Sequence, residues 1–209
     1  DDFDHVDTLA AMFDEPFADA SALPTWRVCQ LARESVTVAL SGDGADEAFA
    51  GYRRHAFQHG EDRLRSVLPQ ALRGPVFGAL GAIYPKADWA PRPLRAKTTL
   101  LSLAASSEAG YARAIGVLPP ELRESLYTPD FLRLRGDYRA EQPFEVLMRS
   151  APARSGLDRA QYADIKFWLP GYILTKLDRT SMAVSLEARE PLLVHRLVEF
   201  AASLPENLR

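Results

Sequence analysis

A chain of 209 residues, 47% hydrophobic and 25% charged, carries enough apolar side chains for one good core or two small ones. Its formal net charge of -3 excludes a general nucleic-acid binder, whose affinity comes from clustered Lys and Arg. The single Cys29 excludes an intramolecular disulfide, and no apolar run reaches the roughly 18 residues of a membrane-spanning helix.

The acidic start is the reverse of a basic signal-peptide start, so the expected location is cytoplasmic, with no membrane and no nucleic acid as partner. Charge is unevenly placed. No Lys or Arg precedes Arg27, whereas Asp1, Asp2, Asp4, Asp7, Asp14, Glu15 and Asp19 do; from Arg63 to Lys97 the only acid is Asp88. That basic stretch serves either an anionic surface or, as preferred here, solvated helix faces and loops.

In chain order, Pro24 and Thr25 open a helix to about Ser35, with Val28, Leu31 and Ala32 on its buried side and Cys29 as a small core residue. "VTVAL", Val36 to Leu40, is β-branched and bounded by a turn, which suits a strand buried on both faces of a parallel sheet. Phe49, Tyr52 and Ala56 then recur at helical spacing. Helix, strand, turn, helix is half of a doubly wound α/β unit.

Pro69, Pro75, Pro85, Pro91 and Pro93 divide the middle into short helices and loops, and "PPELRESLYT", from Pro119, is a helix entered through proline. Three stronger helical patterns follow, at about Gly156 to Leu169, about Ile173 to Met182, and Leu193 to Leu204. In the last, Val194, Leu197, Val198, Ala201 and Leu204 line one face. The expected fold class is therefore α/β, this chain being mainly α-helical with a small piece of parallel sheet near its start. One strand makes no sheet, so further strands are expected outside the chain. It begins without Met and stops directly after a periodic helix, which points to a piece of a longer protein.

The chemistry concentrates in "LSGDGADEAFAGY". Ser41, Gly42 and Gly44 sit where the strand's carboxyl end meets a helix, the usual ligand crevice of an open α/β sheet. Glycines there let backbone N–H groups approach an anion. A Walker A loop is excluded, because no Lys follows the second glycine, and the EF-hand ligand pattern is absent. Asp46 and Glu47 in a first helical turn offset the dipole by about 0.3–1 kcal/mol each. Asp43 and the glycines need more. Mg²⁺ held by one or two carboxylates and by substrate phosphates reconciles both demands. Spacing alone leaves a magnesium nucleotide and a capped, solvent-facing turn as open alternatives. The four His residues show no ligand spacing for zinc or iron.

Three stretches in order resemble the asparagine synthetase family, glutamine-hydrolysing type: "LSGDGADEAFAGY", then "KLDRTSMAVSLEAREPLL" from Lys176 to Leu193 after "WLPGYILT", and more weakly "DEPFADASALPT" from Asp14 to Thr25. The resemblance implies one partial C-terminal synthetase domain over residues 1–209, of the adenine nucleotide alpha hydrolase-like α/β fold. In that family ATP adenylates a carboxylate, aspartate by default, releasing pyrophosphate, and glutamine-derived ammonia then gives the amide. Carried over, Ser41, Gly42 and Gly44 would bind the nucleotide and Asp46 the Mg²⁺; Asp43, Glu47 and Arg179 would act in catalysis. Tyr52, Lys176, Asp178, Glu187 and Arg189 would serve the substrate. For Glu187 and Arg189 a buried structural ion pair is the competing reading. Lys176 and Arg179, i,i+3 on a helix, are placed to reach one anionic ligand. Met182 and Leu186 read as core.

Departures from the family pattern are equally specific. Asp43 stands where asparagine synthetases proper usually have Glu, and Val194 where the family has Asp, which removes a helix cap. The Ser-Gly-Gly-x-Asp-Ser pyrophosphate loop is absent from these residues. So are the glutaminase domain, the expected source of ammonia, and a further family lysine. The isolated chain is thus expected to be inactive. The alternatives are a non-catalytic magnesium-nucleotide or assembly module of the same fold and a purely helical interaction domain. The acceptor carboxylate is not fixed by these residues, and a homodimer stays open.

Overall fold

The computed structural model describes residues 2–85, 91, 96–153 and 155–208; Asp1, Asp88, Pro93 and Arg209 lie outside them. The chain forms two compact units, Asp1–Gly51 with Asp164–Arg209, and Tyr52–Ala163.

The first unit opens with α1 (Val6–Met12), α2 (Ala22–Arg33), β1 (Val38–Leu40) and α3 (Ala45–Ala48). Asp19 sets the start of α2, its carboxylate accepting from the Ser21 N–H at 2.8 Å and the Ser21 hydroxyl at 2.7 Å. The helix buries Ala22, Trp26 and Cys29, a stripe at i, i+4 and i+7, and packs on the helix that carries Lys176. The expected buried side was a different one: Val28 and Leu31 are 65% and 68% exposed. This helix is apolar on two faces, and the bulk of Trp26 decides which one enters the core.

The second unit consists, among the described residues, of α4 (Arg53–Val67), α5 (Gln70–Ile83), α6 (Lys97–Ala104), α7 (Ser107–Ile115), α8 (Pro120–Leu126), α9 (Pro129–Arg135), α10 (Gln142–Ser150) and α11 (Gly156–Ala163). Its core includes Leu103, Tyr111, Phe144, Met148 and Ala160. The helix entered through Pro120 stands where the sequence placed it. Two arginines of the basic stretch are not solvated. Arg65 joins Glu61 at 2.8 Å and Asp62 at 2.6 Å, and buried Arg73 donates to the Leu103 and Ala105 carbonyls at the end of α6.

The chain returns to the first unit through a π-helical segment, Asp164–Leu174, followed by α12 (Thr175–Met182), β2 (Glu187–Arg189), a 3₁₀ turn at Pro191–Leu193, and α13 (His195–Ser203). The predicted helix over Gly156 to Leu169 therefore ends its α winding at Ala163. Pro170 lies inside the π segment, where it lacks the N–H that an α-helical ladder demands.

β1 and β2 pair in parallel, Val38 opposite Glu187, Ala39 opposite Ala188 and Leu40 opposite Arg189. The fold is thus mainly helical with a small parallel sheet, as expected, but two sequence-based details change. A partner strand lies within the chain, in three residues with no β-propensity. β1 is not covered on both faces either, with Leu40 75% exposed. The helix expected directly after the glycine turn also breaks after one turn, because Ala50 adopts φ +55° in the left-handed region.

Candidate functional site

Pairing of β1 with β2 aligns the two strongest sequence motifs end to end. The Ser41 N–H donates to the Arg189 carbonyl at 2.8 Å, extending the ladder one residue past β1. Immediately beyond it the chain turns through Gly42, Asp43 and Gly44 into α3. Gly44 has φ +92°, and the Leu193 side chain occupies the space that a Cβ would need there. The second motif thus closes on the first through both backbone and side chain.

Within the turn, the Ser41 hydroxyl donates to the Asp43 carboxylate. Asp46 is exposed, its carboxylate occupying the space that a Cβ at Gly51 would need. Glu47 is 1% exposed, so it is built into the fold beneath the turn. A cavity of about 360 Å³ adjoins Ser41 and Asp43, walled by Thr25, Cys29, Ala32, Leu40, Leu177 and Ala188. Burial pushes the Cys29 thiol up, and a hydrogen bond with Thr180 only partly offsets this, which fits a core thiol rather than a nucleophile.

The cations of α12 are held by the weaker third motif. Lys176 Nζ donates to Ser21 Oγ at 2.8 Å, lies 3.1 Å from Asp19 Oδ2, and sits 5.9 Å from the centre of the Tyr172 ring. Arg179 pairs with Asp14. Phe17 stacks on Phe13 at 4.5 Å and meets Tyr172 in a tilted contact at 5.4 Å, while Trp168 stacks on Tyr172 at 4.2 Å. Burial opposes ionisation of Asp19, but hydrogen bonds from Ser21 and Lys176 and the ammonium charge outweigh it, so the carboxyl lies below its ordinary value. Burial and the Asp19 charge push the Tyr172 phenol up.

Glu187 and Arg189 do form an ion pair, at 2.7 Å, but not the buried one expected: alternating on β2, they share a face and are 56% and 62% exposed. Asp178 is exposed on α12; Leu186 is in the core, whereas Met182 is exposed. Tyr52 belongs to the second unit, where Arg54 lies over its ring at 3.6 Å. All other predicted site residues fall in the first unit.

Asp14, Asp19, Ser21 and Tyr172 were missed as site residues. The signal was the acidic segment without a single Lys or Arg before Arg27, whose charge has to find cations elsewhere in the chain. Among the described residues no group of three or more His, Cys, Asp or Glu side chains could hold a metal by itself. Mg²⁺ does not require one: one or two carboxylates suffice when phosphate oxygens and water complete its octahedron, and exposed Asp46 beside a glycine turn fits that donor set.

Residues 1–209 match the family model described as asparagine synthase. The chain is 30% identical over 203 residues to asparagine synthetase (glutamine-hydrolyzing) 1 of Bacillus subtilis, covering 94% of this chain and 29% of that protein. It is 33% identical over 200 residues to a putative asparagine synthetase (glutamine-hydrolyzing) of Mycobacterium bovis, covering 94% and 28%. A putative asparagine synthetase (glutamine-hydrolyzing) 2 of Methanocaldococcus jannaschii is 47% identical over 68 residues, 32% of this chain. No solved structure matches. The chain spans less than a third of the length of these curated relatives.

Proposed function

The chain belongs to the asparagine synthase family, and on that premise we propose that the intact protein is an ATP-dependent, amide-forming ligase. The observation carrying this reading is the closure of two motifs, some 140 residues apart in sequence, on one glycine and carboxylate turn at the ends of paired parallel strands. A carboxylate oxygen of the acceptor, aspartate by default, attacks the α-phosphorus of ATP and pyrophosphate leaves. Ammonia drawn from glutamine elsewhere in the protein then attacks the acyl carbon; AMP departs with that oxygen, and a proton is lost.

Both reactants are anionic, so the residues must hold them together against repulsion. Ser41, Gly42 and Gly44 present the turn to the nucleotide, and Asp46 would hold the metal. Bound Mg²⁺ would offset charge on the phosphates as it shifts toward the leaving pyrophosphate. Asp43, steadied by the Ser41 hydroxyl, would face the reacting carboxylate and ammonia. Glu47, buried within the first turn of α3, would face the substrate or support the turn. Lys176 and Arg179, oriented by their pairs with Asp19 and Asp14, would present N–H donors on the acceptor side, with Asp178, Glu187 and Arg189 at its exposed edge.

The test is pyrophosphate release by the full-length protein, given ATP, glutamine or ammonia, and a panel of carboxylic acids headed by aspartate. Asp46→Asn, with its melting temperature checked, is expected to lower the rate by about 10²-fold or more, the usual cost of losing one preorganised charge stabiliser. Silence with every acid, or an unchanged rate in Asp46→Asn, would overturn the proposal.

A further inference from the structure

Both predicted cations of α12 are matched by carboxylates of the Asp14 to Thr25 stretch, and the two pairs are built differently. The Lys176 and Asp19 side chains are 15% and 9% exposed, and Lys176 Nζ also donates to Ser21 Oγ at 2.8 Å. Those of Arg179 and Asp14 are 43% and 77% exposed, and a single nitrogen, Nη2, makes the contact. Resting on the ligase reading, in which Arg179 meets the acceptor, we infer that Asp14 is an internal competitor for that guanidinium and thereby sets the affinity for the acceptor carboxylate.

A guanidinium grips a carboxylate by two parallel N–H bonds, either end-on through Nη1 and Nη2 or side-on through Nε and Nη2. Nη2 belongs to both forks. The Asp14 oxygen on Nη2 therefore stands in the way of either, and an acceptor carboxylate that takes two bonds has to displace it. Among the described residues Nε and Nη1 of Arg179 have no acceptor, so the rest of each fork is ready once Asp14 leaves.

The pair is built to exchange. An ion pair this exposed contributes little to stability, so a ligand gaining two bonds prevails over one. Asp14 lies between α1 and α2, where Phe13 to Ser21 form neither helix nor strand, and its carboxylate can swing away without unwinding an element. The same stretch is anchored without it. Phe17 stacks on Phe13 and meets Tyr172, while Asp19 holds Ser21 and Lys176, and none of these contacts uses Asp14. Lys176 with Asp19 is thus the fixed pair and Arg179 with Asp14 the exchangeable one.

Steady-state kinetics of the full-length protein test the inference, with the acid that gives the fastest pyrophosphate release as acceptor. Asp14→Asn, its melting temperature checked, is expected to lower the acceptor's KM about two- to sixfold relative to the KM for ATP, because the guanidinium is no longer shared. Asp14→Glu keeps a carboxylate and should stay near the wild type. A contact that only braced the fold would give the opposite sign, a raised KM. An acceptor KM that is unchanged or raised in Asp14→Asn, or lowered equally in Asp14→Glu, would overturn the inference. A second measurement needs no turnover: phenylglyoxal labelling of Arg179 in the full-length protein, followed by mass spectrometry. Labelling should be several-fold faster in Asp14→Asn, and succinate, as a carboxylate probe, should slow it more in that variant than in the wild type. Equal labelling of the two proteins would overturn the inference even if the ligase proposal holds, whereas silence with every acid would sink the ligase proposal and leave this readout intact.

Discussion

At Gly44 two constraints coincide, a φ of +92° and the Leu193 side chain standing where a Cβ would be. Gly44→Ala is therefore expected to cost about 1–3 kcal/mol, from left-handed strain and overpacking together. Thermal melts of Gly44→Ala and Gly42→Ala separate this from a general intolerance of the turn. Among the described residues nothing lies within 4 Å of a Cβ at Gly42, so that variant should melt close to the wild type. Asp19 makes a second prediction. Its carboxyl lies below the ordinary 3.8, so it adds stability that is complete above the unfolded-state value and is lost as pH falls through the folded one. The stability gap between wild type and Asp19→Asn should then narrow from about pH 5 to about pH 2; parallel curves would contradict the assignment.

Among the elements, the N-cap position before α13 is Val194, a residue with no side-chain acceptor for the first turn, as the departure from the family pattern implied. Val194→Asp is expected to stabilise the protein by about 0.5–1 kcal/mol, read as a rise in melting temperature. The helix was legible because Leu197, Val198, Ala201 and Leu204 repeat at helical period, and α8 because proline suits its first position. What escaped sequence reading had competing signals. Glu187–Arg189 is a strand only because β1 offers its edge; its own side chains are two charges and an alanine. On α2 two apolar stripes compete, and the bulk of Trp26, with α2 packed on α12, selects the Trp26 and Cys29 stripe over Val28 and Leu31. The glycine turn itself was legible residue by residue. Its anchoring by Leu193 was not, because a contact spanning some 150 residues leaves no local pattern.

For the molecule as a whole, three stretches that lie far apart in sequence are joined within one unit. The glycine turn meets the Lys176 to Leu193 block through paired strands, and that block meets the Asp14 to Thr25 stretch through Lys176, Arg179 and the Phe17 to Tyr172 ring contact. Among the described residues no helix is long and apolar enough to cross a membrane. The second unit supplies an independent helical core. The central claim, that the turn serves acyl-adenylate formation, is tested most directly by following the acceptor's oxygen. The full-length protein, supplied with ATP, ammonia and an acceptor labelled with ¹⁸O in its carboxylate, should release AMP carrying one labelled oxygen and pyrophosphate carrying none. Unlabelled AMP, or ADP and phosphate in its place, would contradict the account.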